Sequence, residues 1–181
     1  MQKIQLASLA CVGASMALTA SASAASVFGP GTYRVGKDVR AGTYRTLGSG
    51  VGSCYWARLK GFSGSLGAII ANENVVGPGL VTILPTDKGF ETTCRWTSNL
   101  RQVTKSKVRF GQGTYLVKTD ILPGTYRTPG GKSCYWARLR AFTGGTTAII
   151  ANDNPRGPVV VTIAPSDRGF SSARCGTWSR V

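Results

Sequence analysis

The stretch Cys54-Tyr55-Trp56-Ala57-Arg58-Leu59 decides how the chain is organised, because it returns unchanged as Cys134-Tyr135-Trp136-Ala137-Arg138-Leu139. A second segment, Gly42-Thr43-Tyr44-Arg45-Thr46, recurs from 124 to 128. The separation is 80 residues for the first pair and 82 for the second, so loop lengths differ slightly between fixed elements. Self-similarity at a nearly constant period indicates a tandem duplication of one folding unit.

Four of the five cysteines lie in the repeats, two in each: Cys54 and Cys94 in the first, Cys134 and Cys175 in the second. The fifth, Cys11, lies near the N-terminus, before the first repeat. An even number in an exported chain that contains no histidine favours disulfides over a zinc site. Pairing within each repeat lets the ancestral unit fold alone, whereas pairing between repeats would leave that unit unbridged. We therefore predict the disulfides Cys54–Cys94 and Cys134–Cys175. Closing a loop of about 40 residues stabilises by about 4 kcal/mol on a chain-entropy model.

The first 24 residues are typical of a secretory signal. One cation, Lys3, precedes an uncharged run rich in Ala, Leu and Ser that ends in Ala22-Ser23-Ala24, a small-x-small pattern that signal peptidase accepts. We predict a signal peptide over 1–24, cleavage near Ala24 and a secreted or extracytoplasmic mature chain. The apolar run is too short and weak for a stable membrane span. Lipidation at Cys11 is the alternative, although the residues before it fit such a site poorly.

The remainder of the chain has the pattern of a β protein. Short runs rich in β-branched and aromatic residues alternate with Gly, Pro, Asn and Asp about every ten residues. The sequence predicts an all-β fold of two tandem small antiparallel β-sandwich or partly open barrel domains, each with one disulfide. We place the first β repeat at 25–96, a basic linker at 97–108 and the second β repeat at 109–181.

The repeated motifs also carry a family resemblance. The order Gly-Thr-Tyr, Asp-Val or Asp-Ile, Gly-Thr-Tyr-Arg, Cys-Tyr-Trp-Ala-Arg and a late Cys resembles a repeat of bacterial exported and envelope-anchored proteins. The likeness covers roughly 28–96 and 110–178. It implies an exported, β-rich protein, and it carries over no catalytic residue and no ligand.

Composition excludes several classes of enzyme. The chain has no histidine, so it has no Ser-His-Asp or Cys-His arrangement and no ordinary His-ligated metal centre. With its mature cysteines oxidised, it also lacks a thiol nucleophile. We predict that the protein is not an enzyme and uses no metal and no cofactor.

Carboxylates leave one catalytic hypothesis open, a hydrolase that uses two of them. Those that recur in both repeats are Asp38 with Asp120, Glu73 with Asp153, and Asp87 with Asp167. The first and third pairs lie at polar bends, where aspartate caps turns, so a structural role is favoured. The hydrolase would need two of these carboxylates within about 10 Å in one cleft.

Alternation along the Cys-Tyr-Trp-Ala-Arg-Leu strand separates two faces. We assign Tyr55, Ala57 and Leu59 to the core, and Trp56 with Arg58 to the disulfide and solvent. An exposed tryptophan stacks on sugars or bases, and an arginine beside it binds carboxylate or phosphate. The alternative is that both residues pack structurally. We add the cations that follow each Trp-Arg pair and the asparagines of the Asn-acid-Asn triplets, which could hydrogen-bond sugar hydroxyls. The candidate binding residues are then Trp56, Arg58, Lys60, Asn72, Asn74, Trp136, Arg138, Arg140, Asn152 and Asn154.

The chain is strongly basic. The formal net charge of +15 favours anionic partners, although basic exported proteins also exist without one. We predict a non-catalytic exported module that binds an anionic or glycan cell-surface polymer. Nucleic acid would bind through charge only. The alternative is a structural or protein-interaction module of the cell envelope, and the carboxylate-based hydrolase is third.

Overall fold

A computed structural model describes residues 26–48 and 54–181. The predicted signal peptide, its cleavage near Ala24 and the alternative at Cys11 therefore lie outside the described residues. Within the described ranges, no helix is long and apolar enough to cross a membrane.

The first repeat is built from two four-stranded antiparallel sheets. Sheet A1 has the strand order β1-β8-β3-β6 and sheet B1 has the order β2-β7-β4-β5. A single turn of 3₁₀ helix at Leu66–Ala68 precedes β5. The strands are β1 Val27–Phe28, β2 Gly31–Arg34, β3 Gly42–Thr46, β4 Cys54–Leu59, β5 Ile69–Val75, β6 Leu80–Ile83, β7 Gly89–Thr92 and β8 Trp96–Thr97.

The second repeat reproduces this topology. Sheet A2 has the order β9-β16-β11-β14 and sheet B2 the order β10-β15-β12-β13, and a 3₁₀ turn at Thr146–Ala148 precedes β13. The strands are β9 Arg109–Phe110, β10 Gly113–Leu116, β11 Gly124–Thr128, β12 Tyr135–Leu139, β13 Ile149–Asp153, β14 Val159–Ile163, β15 Gly169–Ala173 and β16 Trp178–Arg180. The prediction of two tandem all-β domains is confirmed, in the form of two sandwiches.

Large aromatic side chains fill the space between the two sheets of each repeat. In the first repeat, Phe90 of sheet B1 meets Trp96 of sheet A1 edge to face, with ring centroids 5.9 Å apart. Trp56 of B1 stacks on the other side of Phe90 at 6.3 Å. Aromatic pairs in these arrangements are favourable beyond the area they bury, which helps a small sandwich to hold a unique core. In the second repeat, Phe170 occupies the corresponding place against Trp136 and Trp178.

The disulfides Cys54–Cys94 and Cys134–Cys175 form as predicted. Cys94 lies between β7 of sheet B1 and β8 of sheet A1, so its bridge to β4 closes the sandwich where the chain changes sheets. Oxidised sulfur and adjacent aromatic rings thus stabilise the same end of each repeat.

The repeated aspartates cap turns, as predicted. Asp87 accepts the backbone N–H of Leu84 at 2.8 Å, and Asp120 accepts that of Leu116 at 2.7 Å. Asp87 also receives both Nε and Nη2 of Arg58 at 2.7 Å each, in a bidentate pair inside the first repeat. A two-point arginine–carboxylate contact fixes the end of β4 against the turn that follows β6.

The two repeats are in direct contact, and a buried ion pair joins them. Arg45 on β3 is 2% exposed, and its Nη2 lies 2.8 Å from Oδ2 of Asp120, which is fully buried. Nε and Nη1 of Arg45 have no hydrogen-bond partner among the described residues. Since the desolvated guanidinium depends on one carboxylate, removing either partner leaves an uncompensated buried charge.

We expect Asp120→Asn to lower the free energy of unfolding by about 3 kcal/mol or more, because Arg45 then remains buried without its counter-ion. Urea denaturation followed by tryptophan fluorescence measures the change. Asp38→Asn is the matched control, since Asp38 is the equivalent residue of the first repeat and pairs with Arg34 at the surface. An effect of Asp38→Asn as large as that of Asp120→Asn would contradict the assignment of stability to the buried pair.

Candidate functional site

The prediction that Trp56 and Arg58 face solvent is wrong. Trp56 is fully buried in the core of the first sandwich, and Arg58 is buried in its pair with Asp87. No ring face of Trp56 is therefore open for a sugar or a base to stack on.

Their counterparts in the second repeat are less completely covered. Trp136 is partly buried against the core and stacks on Phe170 at 6.3 Å. Arg138 pairs with Asp167 through Nε and Nη2, and its side chain remains 25% exposed. The same residues thus differ in exposure between the repeats, which means that something other than the local fold covers the first pair.

Alternation along the strand was correctly predicted, but the two faces were assigned in reverse. The large indoles point between the sheets, because only the inter-sheet space of each sandwich is thick enough to bury them. The Tyr-Ala-Leu face is the outer face of the sheet. In the second repeat Ala137 and Leu139 of that outer face line a cavity together with Leu80 of the first repeat.

The remaining candidates lie at the surface. Lys60 and Arg140 are exposed just after β4 and β12. The Asn-acid-Asn triplets lie mostly within edge strands, because β5 continues to Val75 and β13 to Asp153. The four asparagines are exposed; they are Asn72, Asn74, Asn152 and Asn154. Asn72 lines a cavity together with Trp56.

A docking surface on the second repeat contacts the first repeat through the loop that follows β12. The carbonyl of Phe142 accepts the backbone N–H of Thr82 at 2.8 Å, and that of Thr143 accepts Nη1 of Arg58 at 2.7 Å. Gly144 lies against the Trp56 ring so closely that a Cβ there would come within 2.4 Å of Cη2. The docking surface consists of Thr114, Asp120, Phe142, Thr143 and Gly144.

The receiving surface on the first repeat is the open side of its sandwich, between the edge strands β5 and β6. Leu80 is 2% exposed there, and the carbonyl of Pro78 accepts the N–H of Thr114 at 2.7 Å. Covering these edges removes unpaired backbone groups that would otherwise invite association. The receiving surface consists of Arg45, Trp56, Arg58, Pro78, Leu80 and Thr82.

A cavity of about 220 Å³ remains between the two surfaces. Its lining is mostly apolar, and Glu73 is the one carboxylate among the described residues that line it. Desolvation raises the pKa of Glu73 above its ordinary value, and the indole of Trp56 opposes this by a smaller amount. The two residues are cross-strand neighbours, although no hydrogen bond of normal geometry joins them. Burial also raises the pKa of Tyr135 across the cavity, and Glu73 adds to that shift.

A basic row crosses the outer face of sheet A2. Arg109 on β9 is the register partner of Ser179 on β16, and Ser179 is the partner of Arg127 on β11. Neighbouring strands are about 4.8 Å apart, so the two exposed arginines lie about 10 Å from each other with a hydroxyl between them. They line an open groove of about 420 Å³ together with Thr128, Pro129, Pro158 and Thr177.

Sequence reasoning missed this basic row, although a signal for it existed. Arg109 stands at the position of Val27 in the first repeat, and Arg127 at that of Arg45. A cation gained by one copy of a duplicated unit indicates a surface that the copies do not share. Finding the row itself required the register across three strands, which no local pattern contains.

Comparison with known proteins identifies the family. The sequence profile of the Rv1352-like extracellular domain matches residues 25–97 and again residues 107–179. The chain belongs to this family. It therefore consists of two tandem Rv1352-like extracellular domains, and the name of the family agrees with an extracytoplasmic location.

Relatives of this Rv1352-like protein occur in mycobacteria. Proteins of Mycobacterium tuberculosis and of Mycobacterium bovis are 32% identical to it over an 85-residue alignment that covers 39% of this chain and 69% of the relative. Both carry the name "uncharacterized protein". No solved structure matches the chain.

The cavity carboxylate leads to a prediction about pH. Because the folded protein holds the pKa of Glu73 above its unfolded value, the stability linked to this group is complete at low pH and is lost as the pH rises. We expect Glu73→Gln to be more stable than the natural protein at pH 7. The difference should vanish below the ordinary pKa of glutamate, about 4.3.

Thermal unfolding of the two proteins between pH 4 and pH 8 measures this difference. Asp153→Asn, at the exposed equivalent position on β13, controls for removing a negative charge from a basic chain. A Glu73→Gln variant that loses stability at pH 7 would show that the carboxylate is favourable in the cavity and contradict the prediction.

Proposed function

We propose that this tandem Rv1352-like protein is an exported, non-catalytic module that binds an anionic polymer outside the cell through the basic row of Arg109, Ser179 and Arg127. Two guanidinium groups about 10 Å apart on an open groove suit successive anionic groups of a chain-like ligand. The single observation that carries the proposal is the exposure of both arginines in a protein whose formal charge is +15.

The difference between the repeats supports this choice of surface. The equivalent row of the first repeat holds Val27 and Thr97, and its arginine, Arg45, is neutralised by Asp120 in the contact between repeats. Arg109 and Arg127 have no acidic partner among the described residues. Unpaired exposed cations raise the local concentration of anions and set the rate of encounter, so they favour a ligand of repeated negative charge.

A non-catalytic role agrees with the use of the recurring carboxylates. Asp38, Asp87, Asp120 and Asp167 are each engaged by an arginine and by a backbone N–H. Glu73 lines the cavity without a second carboxylate among the described residues. A hydrolase of the two-carboxylate kind needs one free acid and one free base at a single bond, and these residues are committed elsewhere.

Binding of defined polymers tests the proposal. Polygalacturonate and long-chain polyphosphate are the probes, dextran is the uncharged control, and affinity is measured calorimetrically over a range of salt concentration. We expect the logarithm of the binding constant for each polyanion to fall linearly with the logarithm of the salt concentration. Arg109→Gln should lower the affinity by about fivefold to tenfold, since a charge-assisted contact at an exposed site contributes about 1 kcal/mol.

Arg95→Gln is the matched control, because Arg95 is an exposed arginine of the first repeat outside the basic row. An equal loss with Arg95→Gln would assign the affinity to net charge and overturn the proposed surface. Binding to duplex DNA that is tighter than to either polymer would identify a nucleic acid as the ligand instead. Salt-independent binding, or binding of dextran, would remove the electrostatic basis altogether.

A further inference from the structure

The contact between the repeats joins two different surfaces, the docking surface of the second repeat and the receiving surface of the first. Such an interface is heterologous: it does not pair like with like and does not close on itself. Because the chain is a duplication, each repeat has the residues for both surfaces. One receiving surface and one docking surface therefore remain unused.

The unused receiving surface lies on the second repeat, between the edge strands β13 and β14. Val160 is 62% exposed, whereas its counterpart Leu80 is 2% exposed. Arg138 pairs with Asp167 as Arg58 does with Asp87, but its Nη1 has no partner among the described residues. Thr162 is the register partner of Thr125, just as Thr82 is the register partner of Thr43. The N–H of Thr162 therefore points away from its sheet, as that of Thr82 does.

The unused docking surface lies on the first repeat and already has the docking conformation. Gly64 has a φ of 71°, and Gly144 has a φ of 74°. Phe62 and Phe142 pack on equivalent glycines of β7 and β15, within 2.6 and 2.3 Å of a Cβ placed there. Phe62 is nevertheless 54% exposed where Phe142 is 3% exposed, since no residue in the described part of the chain covers it.

We propose that a second copy of this chain occupies these surfaces, so that the loop 62–64 of one molecule docks on Trp136, Arg138 and Val160 of the next. The internal contact is the template for the external one: Ser63 carbonyl to Arg138 Nη1, Phe62 carbonyl to Thr162 N–H, and Asp38 to Arg127. Each added copy presents another free docking surface and another free receiving surface. The assembly is therefore head-to-tail and open-ended.

The external contact is weaker than its internal template for identifiable reasons. Val160 is smaller than Leu80, and Glu91 stands where the internal contact has Ser171. The repeats of one chain also meet at the high effective concentration of a short linker, which separate molecules lack. Repulsion between strongly basic chains adds to this, so salt should promote assembly while it weakens the binding of polyanions.

Two single-surface variants test the assembly. Val160→Arg places a charge on the exposed receiving surface and leaves the docking surface intact. Gly64→Asn disables the docking surface, because a Cβ at the equivalent Gly144 would collide with Trp56. Within its own repeat, position 64 has no atom within 4 Å of such a Cβ, and asparagine tolerates a positive φ.

Sedimentation equilibrium of the oxidised protein measures the average mass at protein concentrations between about 10 μM and about 1 mM. The upper limit matches the effective concentration that a short linker gives two joined modules. We expect the average mass of the natural protein to rise beyond that of a dimer, and each variant alone to stay monomeric. An equimolar mixture of the two variants should form a dimer that does not grow, since each supplies the surface that the other lacks. Val181→Arg, an exposed valine outside both surfaces, should assemble like the natural protein.

A natural protein that stays monomeric over this range in high salt would overturn the proposal. So would a mixture of the two variants that stays monomeric when the natural protein assembles. Arg127 belongs both to the basic row and to this receiving surface, so Arg109 and Val160 are used to separate the two proposals. Val160→Arg abolishes assembly and retains or strengthens polyanion binding, since it adds a cation opposite Arg127. Arg109→Gln weakens polyanion binding by the factor given above and leaves assembly intact.

Discussion

The first sandwich has an open side between β5 and β6, and the need to cover it sets the arrangement of the two repeats. Along this side lie a tryptophan, an apolar leucine, an arginine and an unpaired strand edge. The second repeat covers them with the outer face of its own sheet B2 and with the loop 142–144. The contact combines backbone hydrogen bonds, close glycine–indole packing and the ion pair Arg45–Asp120. None of these components is available to a single repeat.

Coverage from outside explains why identical sequence motifs behave differently in the two repeats. Trp56 and Arg58 become part of a continuous interior, whereas Trp136 and Arg138 stay at its boundary. The local fold is the same in both places, down to the bidentate arginine–aspartate pair and the stacking on a central phenylalanine. Exposure is therefore a property of position in the tandem rather than of the motif.

The sequence was sufficient for the parts of the structure that depend on counting and local pattern. The duplication, the two disulfides and the β-sandwich class follow from the repeat period, the even number of cysteines and the short β-branched runs. The direction of Trp56 did not follow, because alternation separates two faces without saying which is inward. In sheet B2 the choice is harder still, since the outer face bearing Ala137 and Leu139 meets the other repeat.

The ion-pair partner of each repeated charged residue could not be predicted from the sequence either. Asp38 and Asp120 have the same local context, as do Arg45 and Arg127, so no pattern shows that Arg45 pairs with Asp120. The Asn72-Glu73-Asn74 triplet did not reveal that it belongs to the edge strand β5, because an edge strand can carry polar residues on both faces. These errors share one cause, namely contacts between segments far apart in the chain, on which amino-acid periodicity is silent.

The hydrogen bond from the Thr82 amide to the Phe142 carbonyl makes the lifetime of the contact between repeats accessible. Thr82 lies in the tripeptide Val-Thr-Ile of an edge strand, so its amide proton is protected by the second repeat and not by its own sheet. Thr162 lies in the same tripeptide on an edge that no other repeat covers. Hydrogen–deuterium exchange at these two amides therefore compares an amide protected by the contact between repeats with an unprotected amide in the same tripeptide, and the slowing at Thr82 measures how rarely the repeats part. The duplication thus places in one molecule both the amide that reports the contact between repeats and an amide of identical local sequence that serves as its reference.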